Sequence, residues 1–232
     1  MTSGAPGWHG KLPSLGDFAS RRLDAGFVEV WDAWLAEGLL ALREANADWL
    51  DAYLGSPSWR FLLAPGALAG AAGAQGWAGV LMPSVDRVGR YFPLTLVLPL
   101  GDGPAHTEQM RQLWFWLARL DELARDALHD DWTVDRLEDE LARMALPDLA
   151  AAGAPDAAPD VAADPAPATL IELPPGLDAA TVIGTQAQQV WAARSLARAW
   201  WQAAPDEGPK RLLLSHGLPP PAAFTRFFGP TA

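Results

Sequence analysis

The chain has 232 residues, half of them hydrophobic, with 12 Trp and 8 Phe, a length and apolar content that support one sizeable core. Its net charge is −11 and its only lysines are Lys11 and Lys210, so a basic track for nucleic acid or anionic membrane is excluded. With no cysteine, disulfides, iron–sulfur clusters and thiolate zinc sites are excluded as well, and the cytoplasm is the expected compartment. Residues 1–10 lack the apolar stretch of a signal peptide, and the longest apolar run, 92–100, is too short to span a bilayer.

Gly7–Lys11 reads as a short strand that turns at Pro13, followed by a compact irregular segment over 16–23. A helix begins at Phe27, with Phe27, Trp31, Trp34, Leu35 and Leu42 on one face. A second helical piece, 47–54, stops at Gly55-Ser56-Pro57. Strands are expected at 58–63, 77–82 and 92–98, separated by a small-residue loop or short helix at 66–76. The third strand is apolar at almost every position, as in a central strand covered on both faces. Helices follow at 107–129 and 133–145. The Ala/Pro/Asp-rich stretch 147–167 reads as a mobile surface excursion rather than a domain boundary, since about 65 residues remain after it. These contain expected strands at 169–173 and 210–215 and an expected helix at 185–203 with Trp200 and Trp201 in its stripe. The predicted architecture is α/β: a single-domain, three-layer α/β/α sandwich with a central mixed sheet.

No phosphate-binding, dinucleotide-binding, nucleophile-elbow or H-E-x-x-H signature occurs, and no catalytic residue, metal site or cofactor is predicted. The histidines His9, His106, His129 and His216 are scattered and read as surface or loop residues. Two turn-rich stretches concentrate polar side chains. One carries Lys11, Asp17, Arg21 and Arg22; the other carries Ser84, Asp86, Arg87 and Arg90 between two expected strands. Asp86 and an arginine suit a loop-fixing ion pair, with Ser84 pinning the loop; the alternative is an anion pocket for a phospho-ligand or small molecule. Asp121 and Arg194 fall in register with apolar helix positions, so each is expected to be buried and paired, with Arg87, Arg90 or Arg194 as candidate partners of Asp121. The sharper alternative makes Asp121 a catalytic carboxylate, and an enzyme of unrecognised type would use Asp86, Asp121 or Lys11.

Trp8-His9-Gly10-Lys11-Leu12-Pro13-Ser14-Leu15-Gly16-Asp17-Phe18, then Arg21-Arg22-Leu23 and Trp31-Asp32-Ala33-Trp34-Leu35, resemble the opening of the TagF family. So do Pro57-Ser58-Trp59-Arg60-Phe61 and the run Gly79–Thr95, whose segment Asp86–Pro93 holds many uncommon residues in fixed order. The resemblance is strong over 7–145 and weak over 185–228, and it adds Asp32 to the motif residues. It implies an accessory protein of bacterial type VI secretion, acting in the cytoplasm as a post-translational repressor. It further implies a three-layer fold and contact with the forkhead-associated scaffold protein, Fha, and it carries over no catalytic residue. Binding to a protein, without nucleic acid or membrane insertion, is the expected mode of action.

Overall fold

The computed structural model describes residues 4–101, 103–104, 107–144, 146, 149, 168–174, 183, 198–203 and 210–228. The elements, in chain order, are β1 (Gly7–Gly10), β2 (Ala19–Arg21), α1 (Ala25–Ala45), α2 (Trp49–Leu54), β3 (Trp59–Leu63), β4 (Gly76–Met82), β5 (Leu94–Leu100), α3 (Thr107–His129), α4 (Val134–Ala142), β6 (Ala168–Glu172), β7 (Arg198–Ala203), β8 (Arg211–His216) and α5 (Phe224–Phe227). Short 3-10 turns occupy Gly70–Ala74 and Pro221–Ala223.

The strands form one eight-stranded sheet in the order β2-β1-β5-β4-β3-β7-β8-β6. Every ladder is antiparallel. This corrects the expected mixed sheet and three-layer α/β/α sandwich: the protein is α+β and rich in sheet. The apolar continuity of β5 reports coverage on both faces, and says nothing of strand direction or of repeated helical layers. Strands far apart in sequence, such as β1 with β5 and β3 with β7, pair antiparallel rather than through the parallel crossovers of a βαβ unit.

Two apolar clusters occupy opposite faces of the sheet, because successive strand residues alternate sides. On one face Phe61, Leu63, Trp77, Leu81, Val97 and Trp201 meet Phe27, Trp31, Trp34, Leu35 and Leu42 of α1. On the other, Leu62, Val80, Leu96, Leu98 and Trp200 meet Met110, Leu113, Trp114, Leu117 and Leu120 of α3, with Leu137 and Leu141 of α4. Asp24 starts α1 by accepting a hydrogen bond from the amide of Gly26, and Thr133 starts α4 by accepting from the amide of Arg136. The outermost strand β6 is half-buried to exposed along its length.

The expected helix at 185–203 is corrected where it is described: residues 198–203 are strand β7, and 184–197, including Arg194, lie outside the described residues. Trp200 and Trp201 are adjacent, both fully buried, and sit in different clusters. A strand sends neighbours to opposite faces, so it buries both indoles; a helix would place them about 100° apart on one side. The sheet contains strands from before and after 147–167, a stretch that, Leu149 aside, lies outside the described residues.

Gly38 of α1 faces Phe224 of α5 so closely that a Cβ there would overlap the ring. Helix propensity alone favours Ala over Gly by about 1 kcal/mol. Overpacking reverses the sign, so Gly38→Ala is expected to destabilise the protein by about 1–3 kcal/mol in urea unfolding. A variant as stable as the parent, or more so, would show that Phe224 does not sit on this glycine.

Candidate functional site

The loop joining β1 to β2 and the loop joining β4 to β5 lie side by side because β1 and β5 are paired through Gly7↔Val97, Trp8↔Leu96 and His9↔Thr95. Gly10, at φ +130°, ends β1 where a Cβ would strike the carbonyl oxygen of Pro93. Only glycine tolerates both the backbone angle and the contact. The chain then delivers Lys11 inward, and its side chain is 3% exposed.

The centre of the site is the Asp86 carboxylate, whose side chain is fully buried. Lys11 Nζ donates to Oδ2 at 2.8 Å and Arg90 Nε donates to the same oxygen at 2.7 Å. The amides of Val88 and Arg90 donate to Oδ1 at 3.0 and 2.9 Å. Burial by itself raises a carboxylate's pKa. The bonds from Lys11, from the amide and guanidinium of Arg90, and from the amide of Val88 outweigh it and hold Asp86 well below the ordinary range. The same bonds wrap Asp86–Arg90 into a tight turn, closed by Gly89 at φ +82° and by the Val85↔Tyr91 bridge.

Ser84 fastens the base of this turn. Its hydroxyl donates to the carbonyl of Lys11 at 2.7 Å. Its amide donates to the Tyr53 hydroxyl, which donates in turn to the Ser84 carbonyl. Burial raises the Tyr53 pKa despite that backbone bond, keeping the phenol protonated as a donor. The two loops are stitched by the amide of Arg87 on the carbonyl of Leu15 at 2.8 Å and by Arg90 Nη2 on the carbonyl of Gly16. Phe18 lies over the result: its ring packs edge-on to Phe92 at 4.8 Å between centroids and parallel to His9, with Lys11 Nζ 4.7 Å from its centroid.

The structure therefore brings Lys11, Asp17, Ser84, Asp86, Arg87 and Arg90 together. Asp17 is at the rim, 3.7 Å from Arg90 and largely exposed. Arg21, Arg22 and Asp32 stand apart from that cluster. Arg21 is exposed on β2. Arg22, at φ 56°, donates to the carbonyl of Pro6 and pairs with Glu138 of α4. Burial raises Glu138, but bonds from Arg22 and Trp8 and the charge of Arg21 leave it lowered. Asp32 is 3.1 Å from Nε2 of His9. His9 corrects the expectation of surface histidines: it is on β1 and 5% exposed. His129 and His216 are exposed, and His106 lies outside the described residues. Among the described residues, no three His, Asp or Glu side chains converge to hold a metal.

Asp121 is buried on α3 and paired, as expected, with an arginine, but that arginine is Arg60, and the candidate Arg194 lies outside the described residues. Arg60 donates to Oδ2 at 2.9 Å, Ser58 donates to Oδ1, and Arg125 lies 3.8 Å away one turn along the helix. Arg87 and Arg90 belong to the loops instead. Ser58 and Arg60 are two positions apart at the start of β3 and so share the face turned to α3, a period-2 signal readable in Ser58-Trp59-Arg60. Tyr53 and Phe18 carried no comparable signal, because their contacts are with distant segments.

The depressed Asp86 pKa fixes the sign of a pH effect. Its contribution to stability is complete above the ordinary carboxylate pKa of about 4 and is lost as pH falls through the folded value. Wild type should lose urea stability progressively below about pH 4, and Asp86→Asn should start less stable at pH 7 and lose less in acid. Parallel acid profiles would contradict the bonding described. Separately, Asp121→Ala should cost about 3–5 kcal/mol by leaving Arg60 unpaired, and the double variant with Arg60→Ala should cost less than the two single losses added.

A family described as the TagF N-terminal domain, type VI secretion system-associated, matches residues 7–144, which hold both loops and every residue of the site. The crystal structure of PA0076 from Pseudomonas aeruginosa PAO1 is similar over 98% of this chain and 96% of that one, with 32% identity and a TM-score of 0.67. No curated protein matches. No described helix is long and apolar enough to cross a membrane. The motif that builds the interlocked loops lies inside the matched region, and the chain belongs to the TagF family of type VI secretion system-associated proteins.

Proposed function

We propose that this protein is a cytoplasmic, post-translational repressor of a type VI apparatus that acts by binding a scaffold protein, of the forkhead-associated (Fha) kind, rather than by modifying it. Membership of the TagF family carries the reading. The chemistry of the site supports it. A catalytic acid or base has to reach its substrate. Lys11, Asp86 and Asp121 are only 3%, 3% and 1% exposed, and each is bonded to a neighbour within the fold. The same bonds argue against a phospho-ligand pocket, since the Arg90 guanidinium is shared between Asp86 and the carbonyl of Gly16. The bonds of Lys11 and Asp86 rigidify the loops and those of Asp121 tie α3 to the start of β3, which favours structural over catalytic roles for these groups.

Stoichiometric binding makes a quantitative demand, because occupancy is set by concentration and affinity. In a host lacking its own copy, graded expression should repress effector secretion in proportion and complete the repression near equimolar ratio to the scaffold. Co-purification should recover the complex. Full repression at a small fraction of scaffold abundance, with the scaffold covalently altered, would overturn the proposal.

A further inference from the structure

The two ends of the eight-stranded sheet are finished differently. At one end β2 has three residues and gives way at once to Arg22 in the left-handed region, so it offers little to a further strand. At the other, β6 stays in register with β8 from Ala168↔Ser215 to Glu172↔Arg211, and no described strand pairs with its outer side. The amide of Leu173 donates to the carbonyl of Lys210, which makes Thr169 and Ile171 the residues of β6 whose backbone bonds to β8. The amides and carbonyls of Ala168, Leu170 and Glu172 therefore point the other way, out of the sheet edge. Arg226 Nη1, 3.4 Å away, donates weakly to the Ala168 carbonyl. Natural sheets blunt such an edge with lysine, proline or a bulge. β6 has none of these between 168 and 172, and its Leu170 and Ile171 are exposed on opposite faces.

We propose that β6 is where two copies of this chain join, edge to edge and antiparallel, about a two-fold axis at Leu170. The outward groups are symmetric about that residue. With Leu170 opposite its counterpart, each donates to and accepts from the other, and Ala168 of one copy exchanges the same pair of bonds with Glu172 of the second. Every outward amide and carbonyl of β6 is then paired, and the Ala168 carbonyl keeps a second lone pair for Arg226. A register shifted by two residues pairs fewer of these groups. The side chains agree with the backbone, because residues directly opposite share a face. Leu170 meets Leu170, Thr169 meets Ile171, and Glu172 meets Ala168 instead of another carboxylate. Length selects the same occupant. Pro167 and Pro174 have no N–H to donate and bracket the strand, so the edge admits five residues, and a second copy brings a strand of the same length bracketed in the same way. A self-complementary edge of this kind closes as a two-fold dimer. Five residues a side bury less than a standard interface, so the dimer is reversible and depends on concentration. The join is independent of the scaffold-binding role proposed above.

Sedimentation equilibrium of the full chain from about 10 µM to about 1 mM should show monomers passing to dimers. Raising salt from about 50 to about 300 mM should strengthen the dimer, since it screens the −11 that each copy carries. Hydrogen exchange reads the register. Across the same concentrations the amides of Leu170 and Glu172 should gain about ten-fold protection, while those of Thr169 and Ile171, bonded to β8 in either state, should not change. Leu170→Pro removes an N–H that β8 does not use, a substitution that an edge strand tolerates. Leu170→Lys leaves the backbone intact and sets two ammonium groups against each other at the axis. Both variants should melt within a few degrees of the parent and stay monomeric throughout; should the proline variant unfold, Leu170→Lys decides alone. Phe115→Asp, at a 70% exposed position on α3, should dimerise as the parent does. A parent chain that is monomeric at every concentration overturns the join. So does a dimer that survives in the folded Leu170 variants, or protection that spares Leu170 and Glu172.

Discussion

A carboxylate removed from water has to find several donors, and Asp86 finds them in two segments of the chain. Lys11 comes from the loop after β1, while Arg90 and the amides of Val88 and Arg90 come from its own turn. Because Lys11 is itself buried, the demand is mutual: neither charge is stable in the interior without the other. Pairing of β1 with β5 brings the two loops together, and the ion pair fixes their relative position. Ser84 and Tyr53 extend the same constraint to α2, so that a turn at the end of a sheet is tied to the helix beneath it. A one-residue slip of either loop would leave a buried charge without a partner, and this makes the arrangement specific as well as stable.

The aromatic core answers a different requirement. Trp31, Trp34, Phe61, Trp201 and Phe227 meet with ring centroids mostly 5–6 Å apart on one face of the sheet. Two of the indoles find partners on distant segments, Trp31 Nε1 donating to the Thr95 hydroxyl and Trp34 Nε1 to the carbonyl of Pro219, whereas Trp201 Nε1 has no hydrogen-bond partner among the described residues. Trp59 Nε1 reaches the carbonyl of Phe227. The C-terminal segment is thus held by indole bonds as well as by packing, which explains how a stretch with only a four-residue helix keeps a defined position over α1.

The loops are rigid because their charged groups bond within the fold. Side chains that bind a partner lose less entropy when their backbone is already fixed. The interior bonds of Asp86 and Lys11 supply that fixation without offering either group to solvent. This separates the two roles a turn-rich polar stretch can have. Lys11, Asp86 and the Arg90 guanidinium bond inward, and Asp17, Phe18, Arg87 and Val88 are exposed.

Much of the architecture was legible in the sequence because its signals are local. The apolar stripe of α1, the continuous apolar run of β5 and the turn-formers around Asp86 depend on spacing within one segment, and spacing survives folding. The pairing of Asp86 with an arginine could be read for the same reason, since Arg90 is four residues away. What the sequence could not carry was any property settled between segments. Strand direction and order depend on which strands meet, so the antiparallel sheet replaced the expected sandwich. Trp200 and Trp201 fit a helical stripe as well as a strand until two apolar faces existed to receive them. Asp121 announced a need for a cation but not which one. The choice fell to Arg60, because β3 runs beneath α3. Sequence alone determined which residues must be buried and which buried charges need partners. Tertiary structure decided the partners, because hydrogen bonds and ion pairs are settled by distances in space that spacing along the chain does not encode.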